Sequence, residues 1–199
     1  MSKELSASLS PSAAPSTAVQ RGLRSAGIVI AGSVFVAACA HLSLPLIFTP
    51  VPLTLQDFAV LVLGLLLSPP LAAATLTAYL TEGALGLPVF APGPHLAGGA
   101  AHLFGPTGGY LLSYVVAAPL ISTLFRRTAR GFTPALLAAT AGNLLILFCG
   151  ALWFAILTHA SMQFTISETV LPFLPGSALK VAAAAGIAAA FLRLRAHRR

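Results

Sequence analysis

TLQDFAVLVLGLLLSPPLAAATLTAYLTEGALGL, residues 54–87, is apolar over most of its length and is broken at its centre by Ser68-Pro69-Pro70. Its 34 residues exceed one membrane crossing, for which about 20 apolar residues suffice. Proline removes a backbone donor and clashes with the preceding turn, so the interruption ends one helix and starts another. The segment reads as two short helices in a hairpin.

The basic residues test that reading. Two spans here, with the apolar runs 21–42, 106–125, 134–159 and 175–194, bring the total to six. If the N-terminus is cytoplasmic, the inner segments are the tail, 68–70, 126–131 and the C-terminus. They carry Lys3, Arg21, Arg24, Arg126, Arg127, Arg130, Arg193, Arg195, Arg198 and Arg199, ten of the eleven Lys and Arg residues. The outer loops near 43–53, 88–105 and 160–173 carry none, as the positive-inside rule requires. A single span over 54–87 would instead put Arg126, Arg127 and Arg130 outside. The expected fold is therefore all-α: a polytopic membrane protein, a six-transmembrane-helix bundle with both termini cytoplasmic. Residues 1–20, rich in Ser, Ala and Pro and without an apolar face, are expected to be a disordered tail.

Composition supports the class. The chain is 57% hydrophobic and 8% charged, with a mean hydropathy of +0.93, whereas soluble chains average roughly 25% charged. Its apolar runs are continuous rather than alternating, which favours helices over a barrel. The net charge of +7 does not signal nucleic acid, because the basic residues flank apolar runs and anchor spans in membrane lipid. Cys39 and Cys149 lie inside apolar runs and read as core residues. The two lysines, Lys3 and Lys180, follow no Gly-rich phosphate loop, so the chain is not expected to hydrolyse ATP. No catalytic constellation or metal-ligand spacing is visible, and neither enzyme activity nor a cofactor is expected.

The polar residues gather at the expected outer side. Lys180 lies about one turn inside the last span, where an ionisable group usually faces the bundle interior, and Ser177 shares its helix face. Gln56 and Asp57 open the second span, while Tyr79 and Glu82 lie near the outer end of the third. Glu82 pairing with Lys180, and Asp57 as a charge at a helix N-terminus, are the structural alternatives to ligand roles. Two charge-free loops cover this side: PLIFTPVPLTL, residues 45–55, and GLPVFAPGPHLAGGAAHLFGPTGGY, residues 86–110, in which Gly and Pro fill 11 of 25 positions. The second cannot be a helix and reads as a specific loop folded on an apolar surface or over a ligand. In the first span, Gly22 and Ala26, Gly27 and Ala31, and Ser33 and Ala37 recur four apart, a spacing that lets helices approach closely. A small, mostly apolar ligand bearing an anionic group is the expected cargo.

TPVPLTLQ at 49–56, AYLTEGALGLPVFAPG at 78–93, GPTGGY at 105–110 and PFLPGSALK at 172–180 together resemble the BioY family of biotin transporters. That resemblance covers about residues 25–195. It implies that residues 21–199 form one six-helix transmembrane biotin-binding domain of the bacterial cytoplasmic membrane. The domain would be the substrate-binding S component of an energy-coupling-factor (ECF) transporter. Lys180 matches the family's functional lysine, meeting either the carboxylate or the ureido oxygen of biotin. Ser177 departs from the Asp usual at its position. Tyr110 and the Gly108-Gly109 turn would support the pocket wall, Thr54 and Gln56 would come from the lid, and Tyr79 and Glu82 would complete the ligand-binding set. Implied partners are a membrane coupling protein and two cytosolic ATPases, docked on Gly27, Ala31, Ser33 and Ala37; a solitary chain would work as a homo-oligomer. An S component for another small vitamin or carboxylate ligand shares the same architecture.

Overall fold

The computed structural model describes residues 17–47, 49–93 and 98–197. Its helices are α1 (Thr17–His41), α2 (Gln56–Leu66), α3 (Pro69–Ala84), α4 (Gly108–Arg126), α5 (Phe132–Thr158), α6 (Met162–Thr169) and α7 (Leu174–His197). Two 3-10 segments, Gly99–Phe104 and Leu171–Phe173, and two short strands, β1 (Ser43–Leu44) and β2 (Leu53–Thr54), complete it. Residues 17–20, expected in the tail, form the first turn of α1; residues 1–16 lie outside the described residues.

The chain breaks where Ser68-Pro69-Pro70 predicts. Leu67 ends α2 in extended geometry, and Pro69 occupies the first turn of α3, where a missing N–H costs nothing. The hairpin closes through side chains: Gln56 Nε2 donates to Tyr79 Oη at 2.8 Å, joining the start of α2 to the last turns of α3. By the same logic Trp153 Nε1 donates to Gly105 O at 2.9 Å, bringing the end of α5 to the start of α4. Lys180 Nζ, near the start of α7, meets Asp57 Oδ2 at 2.9 Å. One end of the bundle thus gathers the loops before α2, α4 and α7. At the other, Ser122 Oγ donates to Leu67 O at 2.6 Å and Arg126 Nε donates to Ser122 Oγ at 3.2 Å. The Ser68 turn therefore shares its end with the arginine loop, as the charge pattern predicts.

Four of the helical segments, Thr17–His41, Gly108–Arg126, Phe132–Thr158 and Met162–Ala196, are long and apolar enough to cross a membrane. α2 and α3, with 11 and 16 residues, are shorter. α2 is buried almost all round: Ala59, Val60 and Leu63 pack toward α1, α3 and α4, and Leu61, Val62 and Leu65 toward α5 and α7. A helix surrounded by other helices need not match the full hydrocarbon thickness.

α4 and α5 approach closely where glycine removes side chains. A Cβ on Gly109 would collide with Trp153 and the Cys149 carbonyl, and one on Gly150 with the Tyr110 ring, in keeping with the preference for small residues between membrane helices.

Four loop expectations change. Residues 45–55 do not form only a stiff loop: the segment closes an antiparallel hairpin with Ser43 opposite Thr54 and Leu44 opposite Leu53, so the fold is not purely α. The Gly/Pro stretch contains a helical piece after all, Gly99–Phe104, because AAHLF between its glycines suffices for 3-10 turns. Gly108-Gly109 is not a turn but the first two residues of α4. Residues 160–173, expected as a loop, hold α6, whose first turn is capped by Ser161 Oγ accepting from Phe164 N at 3.3 Å.

Candidate functional site

A recess lies at the end of the bundle that gathers the three loops; its cavity is about 30 Å³, and about 470 Å³ when the open mouth is counted. The β hairpin contributes Val51, Pro52 and Thr54, and α2 contributes Gln56 and Asp57. The 86–107 segment supplies Ala91, His102 and Thr107; α4 supplies Tyr110, Leu111 and Tyr114; Leu147 and Phe173 close the wall. Pro and Gly in the two charge-free loops keep their backbones compact enough to fold inward. Phe90 and Ala91 are buried accordingly, and the Phe90 ring sits between Tyr79, met edge-to-face at 5.5 Å, and the tilted ring of His102 at 4.8 Å.

The polar groups of the recess are mostly fixed from behind. Gln56 Nε2 donates to Tyr79 Oη, which donates to Val89 O at 3.0 Å. Tyr110 Oη donates to Thr169 O at 2.7 Å, so its ring, rather than its hydroxyl, forms wall. Tyr114 Oη donates to Asp57 Oδ1 at 3.1 Å while Lys180 holds Asp57 Oδ2. Thr107 Oγ1 is buried without a protein partner. Such an arrangement combines an apolar lining with a few donors and acceptors held in fixed orientations.

Of the residues singled out in the sequence, Thr54, Gln56 and Tyr110 line the recess. Tyr79 stands behind Gln56. Lys180 is buried, at 7% exposure, but lines a second depression of about 440 Å³, bounded by His41, Leu42, Leu44, Leu53 and Thr54 of the hairpin region. Ser177 is buried with its hydroxyl unpartnered and lines neither space. Glu82 does not pair with Lys180. It accepts from Ser33 Oγ and joins α3 to α1, while Asp57 takes the lysine instead of serving only as a helix-terminal charge.

The α1 expectation also changes. Gly27 and Ala31 are exposed, Ala37 is half-buried, and Ser33 is fully buried. Residues 31 and 33 lie about 200° apart around a helix, so the four residues cannot form one docking face; Ser33 belongs inside the bundle.

Asp57, Tyr114, His102 and Thr107 are the members missing from the expected site. Asp57 carried a signal, as an acid placed in depth at an outer helix start. His102 stands near the outer boundary in a spacing that matches no metal motif, which gave no reason to place it in the site. Tyr114 lies four residues past the GPTGGY motif and becomes visible only when α2 packs beside α4. His95 lies outside the described residues.

Fold and recess define a class: a helical membrane protein with a recess at one end of its bundle. The profile of the BioY family matches residues 8–197, and the chain belongs to that family. It is 40% identical over 139 residues to the probable biotin transporter BioY of Pyrococcus horikoshii, covering 70% of this chain and 79% of that one. With the biotin transporter BioY of Thermotoga maritima it shares 34% identity over 178 residues, 89% of this chain and 99% of that one. The crystal structure of the S-component for biotin from an ECF-type ABC transporter superposes with a TM-score of 0.79 at 26% identity, covering 92% of this chain and 95% of the other. The family is one of transporter components, not of enzymes.

Proposed function

We propose that this chain is the biotin-binding S component of an ECF transporter, capturing biotin at the outer end of a six-span bundle whose termini face the cytoplasm. The observation that carries this reading is the recess itself. Its walls come from the motif residues Thr54, Gln56 and Tyr110, in a chain whose relatives are biotin transporters. Leu111, Leu147 and Phe173 offer the apolar surface that a fused bicycle needs, and Gln56, Thr107 and Asp57 offer polar groups for its ureido function. Tyr79 keeps Gln56 in place, Glu82 holds α1 to α3, and Lys180 holds Asp57 from outside the recess.

Delivery inward proceeds with a coupling membrane protein and two cytosolic ATPases, in a bacterial cytoplasmic membrane. The exposed Gly27 and Ala31 face of α1 is the docking surface. Labelled biotin uptake by cells lacking their own transporter tests this. Expression of the chain should raise uptake, and co-expression of an energising module should raise it further. A chain that inserts correctly yet moves no biotin under either condition refutes the assignment, and a panel of other vitamins then identifies the cargo.

A further inference from the structure

The buried ion pair has a direction. Asp57 lines the ligand recess, whereas Lys180 lines the separate depression at the β hairpin. A ligand in the recess therefore meets the carboxylate before the ammonium. Both carboxylate oxygens already hold one donor, Tyr114 Oη on Oδ1 at 3.1 Å and Lys180 Nζ on Oδ2 at 2.9 Å. Each oxygen of a carboxylate accepts about two hydrogen bonds, so acceptor capacity remains on both.

We propose that Asp57 is the acceptor for the N–H donors of the ligand, and that Lys180 is its counter-ion rather than the receptor of the ligand's anionic group. This rests on the biotin reading above and assigns the ureido ring, with its two N–H groups, to the Asp57 end of the recess. The neighbouring groups fit that polarity. Gln56 precedes Asp57 on α2 and faces the same space, and Thr107 presents a buried hydroxyl without a protein partner. No Lys or Arg is among the residues lining the recess. A ligand carboxylate placed against Asp57 would meet like charge; an N–H pair there gains a charge-assisted bond. The valerate chain then points to the mouth.

Ser177 provides the control. It lies three residues before Lys180 on α7, one turn away on the same face, and its hydroxyl is buried and unpartnered. A carboxylate there stands one helical turn from the same lysine, without lining the recess.

Calorimetric titration of biotin and of biotin methyl ester into the purified full chain tests the proposal. Asp57→Asn should weaken both ligands by about ten- to hundredfold, the effect of losing a hydrogen bond to a charged group, because the ester keeps its ureido N–H groups. The combination Asp57→Asn with Ser177→Asp should leave both ligands as weak as Asp57→Asn alone, because position 177 does not line the recess; recovery of wild-type affinity there would trace the loss to the ammonium and overturn the proposal. An Asp57→Asn variant that binds biotin as well as wild type, or more tightly, overturns the proposal, since tighter binding would mean that Lys180 had been freed for the valerate. So would wild-type affinity in an Asp57→Asn, Lys180→Met variant, which would trace the loss to a stranded charge. Failure of the wild type to bind biotin refutes the underlying reading instead.

Discussion

Replacing Lys180 with Met should destabilise the bundle more than replacing Lys180 and Asp57 together. The pair is 2.9 Å long, with 7% and 16% of the two side chains exposed. Removing one member of such a pair strands the other charge and costs about 3–5 kcal/mol, whereas removing both is often close to neutral. Asp57 keeps Tyr114 as a donor when Lys180 is lost, which puts Lys180→Met near the lower limit, about 3 kcal/mol. Asp57→Asn, leaving the ammonium with a neutral amide, should cost a similar amount. The double variant should cost about 1 kcal/mol against about 6 kcal/mol for the two singles summed, so the singles should fail to add by about 5 kcal/mol. Unfolding in mixed micelles can be followed through Trp153, the chain's single tryptophan, whose indole bonds Gly105 between α4 and α5. Additivity of the three variants within about 0.5 kcal/mol would mean that the pair does not hold α7 to α2, and the reasoning would be refuted.

Other substitutions probe separate parts of the account. Gly150→Ala places a methyl group in the Tyr110 ring and should cost about 1–3 kcal/mol by overpacking, with biotin affinity lowered in the same titration; unchanged affinity would remove Tyr110 from the wall. Tyr79→Phe leaves the Gln56 amide and the Val89 carbonyl without their partner. About 1–3 kcal/mol should be lost, read as a lower unfolding midpoint. Ala31→Trp should reduce uptake with the energising module while biotin binding stays intact, because Ala31 is exposed; loss of binding in a correctly inserted variant would argue against docking. Ser33→Leu, in contrast, should lower stability itself, since Ser33 is fully buried and bonded to Glu82.

The outline of the bundle was legible because its signals are local. Ser68-Pro69-Pro70 ends one helix and begins the next within three residues, and arginines mark the ends that share a side. Apolar runs at 106–125, 134–159 and 175–194 correspond to α4, α5 and α7 within a few residues. Pairing was not legible. Whether Lys180 meets Asp57 or Glu82 depends on how α2 packs between α4 and α7, and both acids stand at plausible depth in the sequence. Small-residue spacing misled in α1 for a related reason: a four-residue repeat recurs on any face, and only packing against α3 decides that Ser33 turns inward. α6 and the β hairpin escaped notice because segments of two to eight residues carry too little periodicity to stand out.

The central claim is that this bundle captures biotin at its loop-gathered end. Calorimetric titration of biotin into the detergent-purified full chain, beside riboflavin and thiamine, tests it most directly. Binding of biotin at −8 kcal/mol or tighter, roughly micromolar or better, with no heat from the other vitamins, is the predicted result. A folded protein that gives no heat with biotin, or that binds another vitamin in its place, would contradict the account.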